Sequence, residues 1–504
     1  MASTAVNFDL LSRVLGYKVL KGIFQNAGRN LPMRIAILGE ANEANQADLN
    51  TDPIEITSAK RAGELFGYGS PIHMIMRILK PVSSDGVGAI PIIVFPQAKA
   101  VGATQKTLEI EVTGVATANV THTIKIAGRT GIDGVSYDVN IEQGDNQATI
   151  CGKIADAINA VLGAPVLATE DDYSVLLTSK WAGLTSNGMT VEVLTNDNDA
   201  GLTYAISAGA SGSGTPSIAN SLAAFGSKWN TIVVNSYGLV NSIMTAIENF
   251  NGIADPTTPT GRYGAVVYKP FVAISGDVSD DASAITDARK LQMTLAVASA
   301  PLSPGLHFEA AANYTYLQAI QSQNAPSGDI GGQYLPDMPV PSEIGSMADY
   351  PTRNAIMKKG QSTVDLVSDL YQVQDFVTTY HPDGEVPPSY RYVRDIILDW
   401  NIAYRMMQLQ QLYVIDHVIA NDEDTVTAPK VVKPKTWKQN LFSLVDDIVS
   451  DALIANGQFT KDSIVVNIGT TNPNRLETFM RYKRTGIARV VSTDVEAGFN
   501  FGNV

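Results

Sequence analysis

The chain's ligand-type and nucleophilic side chains are few and widely scattered. Its five histidines are His73, His122, His307, His381 and His417, and no two are close enough in sequence to form a local metal pair. His381-Pro382-Asp383-Gly384-Glu385 holds ligand-type residues, but Pro-Asp-Gly is turn chemistry, and the segment reads as a turn. Asn196-Asp197-Asn198-Asp199-Ala200-Gly201 begins like a calcium loop. The twelfth position counted from Asp197 is Ala208, where a bidentate Glu would be required, so this too reads as a polar turn. The single thiol, Cys151, excludes an intrachain disulfide and a Cys-x-x-Cys metal site. It sits beside Ile150 and Ile154 in a predicted helix and is expected to be buried as a small hydrophobe. His417, next to Asp416 at a predicted helix end, reads as a partner of the helix dipole. The acidic runs Asp422-Glu423-Asp424 and Asp446-Asp447 read as solvated. No Walker loop, dinucleotide fingerprint, nucleophile elbow or His-Glu-x-x-His motif is present, so no catalytic residue, metal or cofactor is expected.

One charged feature exceeds the background. Arg475, Arg481, Lys483 and Arg484 crowd into residues 474–484, where the spacing predicts a short helix from Asn472. On a helix, Arg481 and Arg484 would be i,i+3 neighbours, and like charges there repel. The cluster is either a solvated surface helix or the face that meets an acidic partner. The rest of the chain is acidic, with a net charge of -14. That charge disfavours nucleic-acid binding by the surface as a whole.

These side chains need a scaffold, and the composition provides for one. With 45% hydrophobic and 17% charged residues over 504 positions, the chain can bury one large core or several smaller ones. No run of about 18 apolar residues suggests a membrane helix. The first residues, Met1 to Asp9, lack the basic and apolar regions of a secretory signal.

Five segments follow from the patterning. Residues 1–30 carry Leu11, Val14, Leu15, Val19 and Leu20 in a stretch too short to form its own core, and they read as an arm that docks elsewhere. Residues 31–101 look α/β. Met33–Gly39 is a buried strand, Thr57 or Ser58 caps a helix, and a second helix follows Pro71. A further strand spans 90–96, where Pro91 implies an edge position or a start just after it. Residues 102–208 alternate with period two at 108–112, 122–126 and 135–141, and again read as strands at 173–178 and 189–194. A helix there is capped by Asp145 or Asn146. The region reads as an inserted β-rich domain. Residues 209–485 resume the α/β pattern after a flexible Gly/Ser linker at 209–215. Strands are expected at 231–234, 265–268, 295–299 and 463–468, and helices at 240–250, 280–290, 391–418 and 436–454. A long surface loop is expected at 322–350. Residues 486–504, with a strand near 487–491 containing Ile487, Val490 and Val491, read as a C-terminal arm.

Several stretches together resemble the Mu-like family of contractile tail sheath proteins. They are Ile35-Ala36-Ile37-Leu38-Gly39-Glu40, Ile56-Thr57-Ser58-Ala59, and Glu64-Leu65-Phe66-Gly67-Tyr68-Gly69-Ser70-Pro71. Further along they are Val377-Thr378-Thr379-Tyr380, Pro382-Asp383-Gly384, and Tyr390-Arg391-Tyr392-Val393-Arg394-Asp395-Ile396. The resemblance implies an α/β core with a β-rich insert and extended N- and C-terminal arms. It also implies a structural role in a virion tail assembled in the host bacterial cytoplasm. Subunits of this kind polymerise with themselves around an inner tail tube, meet baseplate and tail terminator proteins, make no direct contact with nucleic acid and do not insert into a membrane. Contraction drives the tube through the bacterial envelope. The arms, including Leu11, Val14, Leu15, Val19, Leu20, Ile487, Val490 and Val491, would add strands to neighbouring copies. The four cations Arg475, Arg481, Lys483 and Arg484 would hold an acidic tube. A surface or adhesion protein and an α/β hydrolase are the competing expectations.

Overall fold

The computed structural model describes residues 30–254, 257–342 and 347–497. The expected N-terminal arm residues Leu11, Val14, Leu15, Val19 and Leu20 lie outside them. The fold is mixed α/β, with several sheets. The largest runs, edge to edge, through strands Leu295–Ser299, Val272–Asp277, Ile232–Asn235, Ile35–Glu40, Ile92–Gln97 and Ile54–Glu55. The first five are parallel, and the two-residue Ile54–Glu55 strand is antiparallel.

The five parallel strands are buried along their whole length, as a parallel sheet covered on both faces requires. Strand alternation sorts their side chains between two layers. Ile35, Ile37, Ile92, Val94, Ile232, Val234 and Ile274 pack into the layer that holds helices Pro71–Leu79 and His307–Asn324. Ala36, Leu38, Ile93, Phe95, Val233 and Ala273 pack into the opposite layer with helices Ala219–Ala223 and Asn241–Asn251. Helix starts follow local chemistry. Ser58 accepts a hydrogen bond from the Arg61 N–H, Ser70 from His73 with Pro71 in the first turn, and Asn146 from Thr149. The Ile92–Gln97 strand begins just after Pro91, one of the two places the proline allowed.

Between the Ile92–Gln97 and Ile232–Asn235 strands the chain builds two antiparallel sheets of its own. One orders Thr203–Ala208, Gln105–Thr113, Ser174–Ala182 and Val166–Glu170; the other Val191–Leu194, Val120–Ile126 and Asp138–Ile141. Helix Gln147–Ala160 packs on them and buries Cys151, whose thiol is pushed up to about 11 by burial.

Two expectations fail in the core. Residues 265–268 form no strand. Gly264 starts a turn in which its carbonyl accepts from the Val267 and Tyr268 N–H groups, leaving Val266 fully exposed, and the strand comes later, at Val272–Asp277. The Gly/Ser stretch 209–215 is not free. Thr104 bridges to Ser213, Thr107 N–H donates to the Ala210 carbonyl, and the Asn187 side chain both donates to and accepts from the Gly212 backbone. Backbone groups that cross a packed surface need partners, and here they find them. The 283–287 helix is also shorter than expected.

The antiparallel unit meets the central sheet at the carboxyl ends of the parallel strands. Thr185 donates a 2.8 Å hydrogen bond to the buried Glu40 carboxylate, and Trp181 Nε1 donates to Thr185. Arg129 pairs with the fully buried Glu309 at 3.0 Å and with Asp337 at 3.1 Å. At the same edge a Cβ on Gly276 would lie 1.6 Å from the His307 carbonyl oxygen, so glycine alone lets the helix start there. In open α/β sheets this edge is the usual ligand crevice. Here part of it is filled by the chain itself.

Burial pushes the Glu40 carboxyl up to about 7, against the Thr185 hydrogen bond that lowers it. An acid whose folded value is raised takes up a proton on folding. Its contribution is therefore greatest below the unfolded value of 4.5 and is lost as pH rises towards 7. Glu40→Gln should remove about 3 kcal/mol of pH-dependent stability across that window. Urea titrations of both proteins at pH 4.5 and 7.5 measure the difference.

Candidate functional site

The long helix Val393–Tyr413 belongs to two cores. Val393, Ile396, Ile397 and Trp400 pack into the large one, while Leu398 and Ile402 pack into a smaller one with Trp437, Leu441, Val445, Ile448 and Ile464. Around this second core lie helices Pro434–Ser450 and Gly457–Ser463 and two short two-stranded pairings. Val465–Ile468 pairs with Leu476–Phe479, and Ile454–Ala455 with Lys483–Arg484.

The basic helix expected from Asn472 is therefore absent; residues 474–484 are mostly strand. Asn472 Oδ1 accepts from the Asn474 N–H, and Gly469 N–H donates to the Arg475 carbonyl, closing a loop around Pro473. Leu476–Phe479 then runs back along Val465–Ile468 with Phe479 opposite Val465. A period-two signal underlies this. Leu476, Met480 and Tyr482 pack towards the small core, and Thr478 accepts from Trp437 Nε1 at 2.9 Å. Tertiary pairing overrode the helical reading.

Alternation also divides the four cations. Arg475, Arg481 and Lys483 are exposed on the outer face. Among the described residues Arg475 pairs only with the neighbouring Glu477, at 3.0 Å, with both side chains at least half exposed. The Arg481 guanidinium lies 5.2 Å from the Phe479 ring centre, and Lys483 Nζ 4.5 Å from that of Phe459. Arg484 turns inward. Its Nε donates to Asp399 Oδ1 at 2.8 Å, its second nitrogen binds Oδ2, and it lies over the Tyr390 ring. Tyr482 also donates to Asp399, at 2.9 Å. Burial holds the Asp399 carboxyl above the usual carboxylate range, and Arg484 opposes the shift. Arg484 is thus a clasp within the subunit, and three cations remain for an outside partner.

The chain beyond Arg484 runs across the start of the long helix. Buried Arg394 donates to the Thr485 carbonyl and hydroxyl and to the Ser327 carbonyl. Arg489 pairs with Asp329 at 2.5 Å and Asp375 at 3.2 Å, and its guanidinium lies 3.7 Å from the centre of the Tyr392 ring. The stretch Tyr390–Asp395 therefore supplies a ring under Arg484, a ring under Arg489 and the guanidinium that grips Thr485. The expected strand at 487–491 is not formed among the described residues. Arg489 is drawn to the body, leaving Val490, Val491 and Val495 at least 80% exposed, and Ile487 at 37%. An unpaired strand has no ladder to define it, so these residues stay irregular. Composition and spacing pointed neither to Asp399 nor to Asp329 and Asp375.

Asp399→Asn should weaken the Arg484 clasp and destabilise the protein by about 2–3 kcal/mol. Chemical denaturation, with Lys483→Ala as a near-neutral control, tests this.

No family profile matches the chain. It is 22% identical over 433 residues to the Mu-like prophage FluMu tail sheath protein of Haemophilus influenzae, covering 84% of this chain and 85% of that protein. The chain is thus a relative of a Mu-like tail sheath protein. Among solved structures, it is similar to the sheath tail protein of Desulfitobacterium hafniense. That match has 9% identity and a TM-score of 0.44, covering 94% of this chain and all of the other. It is also similar to chains of the anti-feeding prophage baseplate (10% identity, TM-score 0.43) and of its contracted helical sheath (10%, 0.39). Each of these covers 97% of this chain and all of the other.

Proposed function

We propose that this chain is the structural subunit of a contractile tail sheath, which polymerises around an inner tail tube and shortens to drive the tube through a bacterial envelope. Sequence similarity to a tail sheath protein over most of both chains carries the reading. The role is mechanical and uses no catalytic residue. The work of contraction comes from the difference between two packings of whole subunits, the extended one being metastable.

The chain divides, in this reading, into an N-terminal arm at 1–30, an α/β core in two pieces at 31–101 and 209–485, a β-rich insert at 102–208 and a C-terminal arm at 486–504. Leu11, Val14, Leu15, Val19 and Leu20 of one arm and Val490 and Val491 of the other lie on neighbouring copies, while Ile487, expected with them, comes before Arg489 and stays with its own subunit. The exposure of Val490 and Val491 supports this for the C-terminal arm. The hairpin of Val465–Ile468 and Leu476–Phe479 is a fitting acceptor. It has two strands only, and Val465 and Phe479 are about half exposed. Arg475, Arg481 and Lys483 face the tube, and Arg484 supports them from behind. Baseplate and terminator proteins hold the two ends of the polymer, and assembly takes place in the host cytoplasm before the virion tail is released.

Negative-stain microscopy of the purified chain at rising concentration should show hollow tubes with a regular helical repeat, and deletion of residues 1–25 should abolish them. A monomer or small closed oligomer at every concentration would contradict the sheath reading. Changing Arg475, Arg481 and Lys483 together to Glu should leave self-assembly intact and cut co-assembly with the tube protein at least tenfold in a co-sedimentation assay. Undiminished tube binding would remove the three cations from that role.

A further inference from the structure

We infer that Arg489 is the latch that roots the C-terminal arm in its own subunit and sets the point from which the arm departs. The proposal deepens the sheath reading and rests on it only for the arm's destination. After residue 484 the chain has three successive anchors. Arg484 is clasped by Asp399, Thr485 is gripped by Arg394, and Arg489 enters a socket made by Asp329, Asp375 and Tyr392. The hydrogen bonds and ion pairs described for the chain end there, and the next apolar residues, Val490 and Val491, are more than 80% exposed.

Every wall of the socket is built on fixed structure. Asp375 ends the strand Leu370–Asp375, itself paired with Thr363–Val367. Asp329 sits in a loop tied to that same strand: Gly332 N–H donates to the Val373 carbonyl and Leu335 N–H to that of Tyr371. Tyr392 is the residue just before the long helix that carries Asp399. The socket therefore joins the large core to the base of the C-terminal unit.

The chemistry favours arginine there. Two mostly buried carboxylates flank the Arg489 guanidinium, with side chains 8% and 13% exposed, and burial, with Asp329 nearby, holds the Asp375 carboxyl above its usual range while Arg489 opposes the shift. A forked guanidinium satisfies both while its flat face lies on an aromatic ring, a geometry that lysine's point charge cannot reproduce. Arg489 pairs with Asp329 Oδ2, while the buried Oδ1 has no hydrogen-bond partner among the described residues, so withdrawal of Arg489 would strand the carboxylate. The arm is thus held on its own body up to residue 489 whatever a neighbouring copy does beyond it. Motion between subunits is forced into the residues after 489.

Hydrogen exchange on the full-length chain, kept below its assembly concentration, tests the latch without any polymer. Arg489→Ala should raise exchange across 485–489, where the Thr485 N–H donates to the Leu453 carbonyl, at least tenfold and leave the helices of both cores protected. Arg489→Lys should restore only part of the protection. Asp375→Asn should loosen the same segment, whereas Asp383→Asn, an exposed carboxylate remote from it in sequence, should not. Unchanged exchange at 485–489 in Arg489→Ala would overturn the latch, whether or not the wild type forms tubes. If wild-type tubes form, the same variant should lower their yield at fixed concentration. Full tube yield despite a loosened arm would overturn the claim that the latch sets the departure point.

Discussion

A parallel sheet has to be covered on both faces, and most of this fold follows from meeting that requirement. Its five parallel strands expose no edge-on polar face to water, and alternate residues of each strand feed separate hydrophobic layers. Each layer needs its own helices. The chain supplies Pro71–Leu79 and His307–Asn324 to one side and Ala219–Ala223 and Asn241–Asn251 to the other. The excursion from Gln105 to Ala208 leaves from one central strand and returns before the next, so it must settle at the carboxyl edge. Glu40, Thr185, Arg129 and Glu309 are the polar residues that make this seam, and buried groups of that kind hold only when each is paired.

The C-terminal unit is built on a second constraint, that buried carboxylates need cations. Asp399 recruits Arg484, and Asp329 with Asp375 recruits Arg489. These pairs lie at the two ends of a short path, with the Arg394 grip on Thr485 between them. An acidic chain thus spends several of its cations internally, near its C-terminus. Arg475, Arg481 and Lys483 stay outside because a strand sends alternate residues to opposite faces.

In the proposed role, where a subunit would move as a body while its arms hold, this arrangement would have mechanical sense. The long helix shares residues with both cores, so load arriving at the small unit passes directly to the large one. The segment after Arg484 is rooted beside the first turn of that helix. Rigid connection up to a defined departure point, and freedom after it, is how a lattice can change its packing without losing its links.

Much of the architecture was legible from local patterning. The buried strand ending at Gly39, a cap at Thr57 or Ser58 and another at Asp145 or Asn146, an edge or strand start at Pro91 and a long helix within 391–418 each rest on residues close in sequence, and the structure chose Ser58, Asn146 and the start after Pro91. Motif spacing likewise pointed away from catalysis, and quoted stretches such as Tyr390–Ile396 carried the resemblance to sheath proteins. What needed the tertiary structure was every feature whose partner is remote. Residues 474–484 look helical in isolation, and become strands because Val465–Ile468 and Ile454–Ala455 lie alongside. The turn at Gly264 replaces an expected strand, and the Gly/Ser stretch is pinned by Thr104 and Asn187, far off in sequence. Arg484 and Arg489 could be assigned to the body only once Asp399, Asp329 and Asp375 were brought beside them. Composition and period are set by neighbours along the chain, while a charge's partner is set by the fold that decides which distant groups share a buried site.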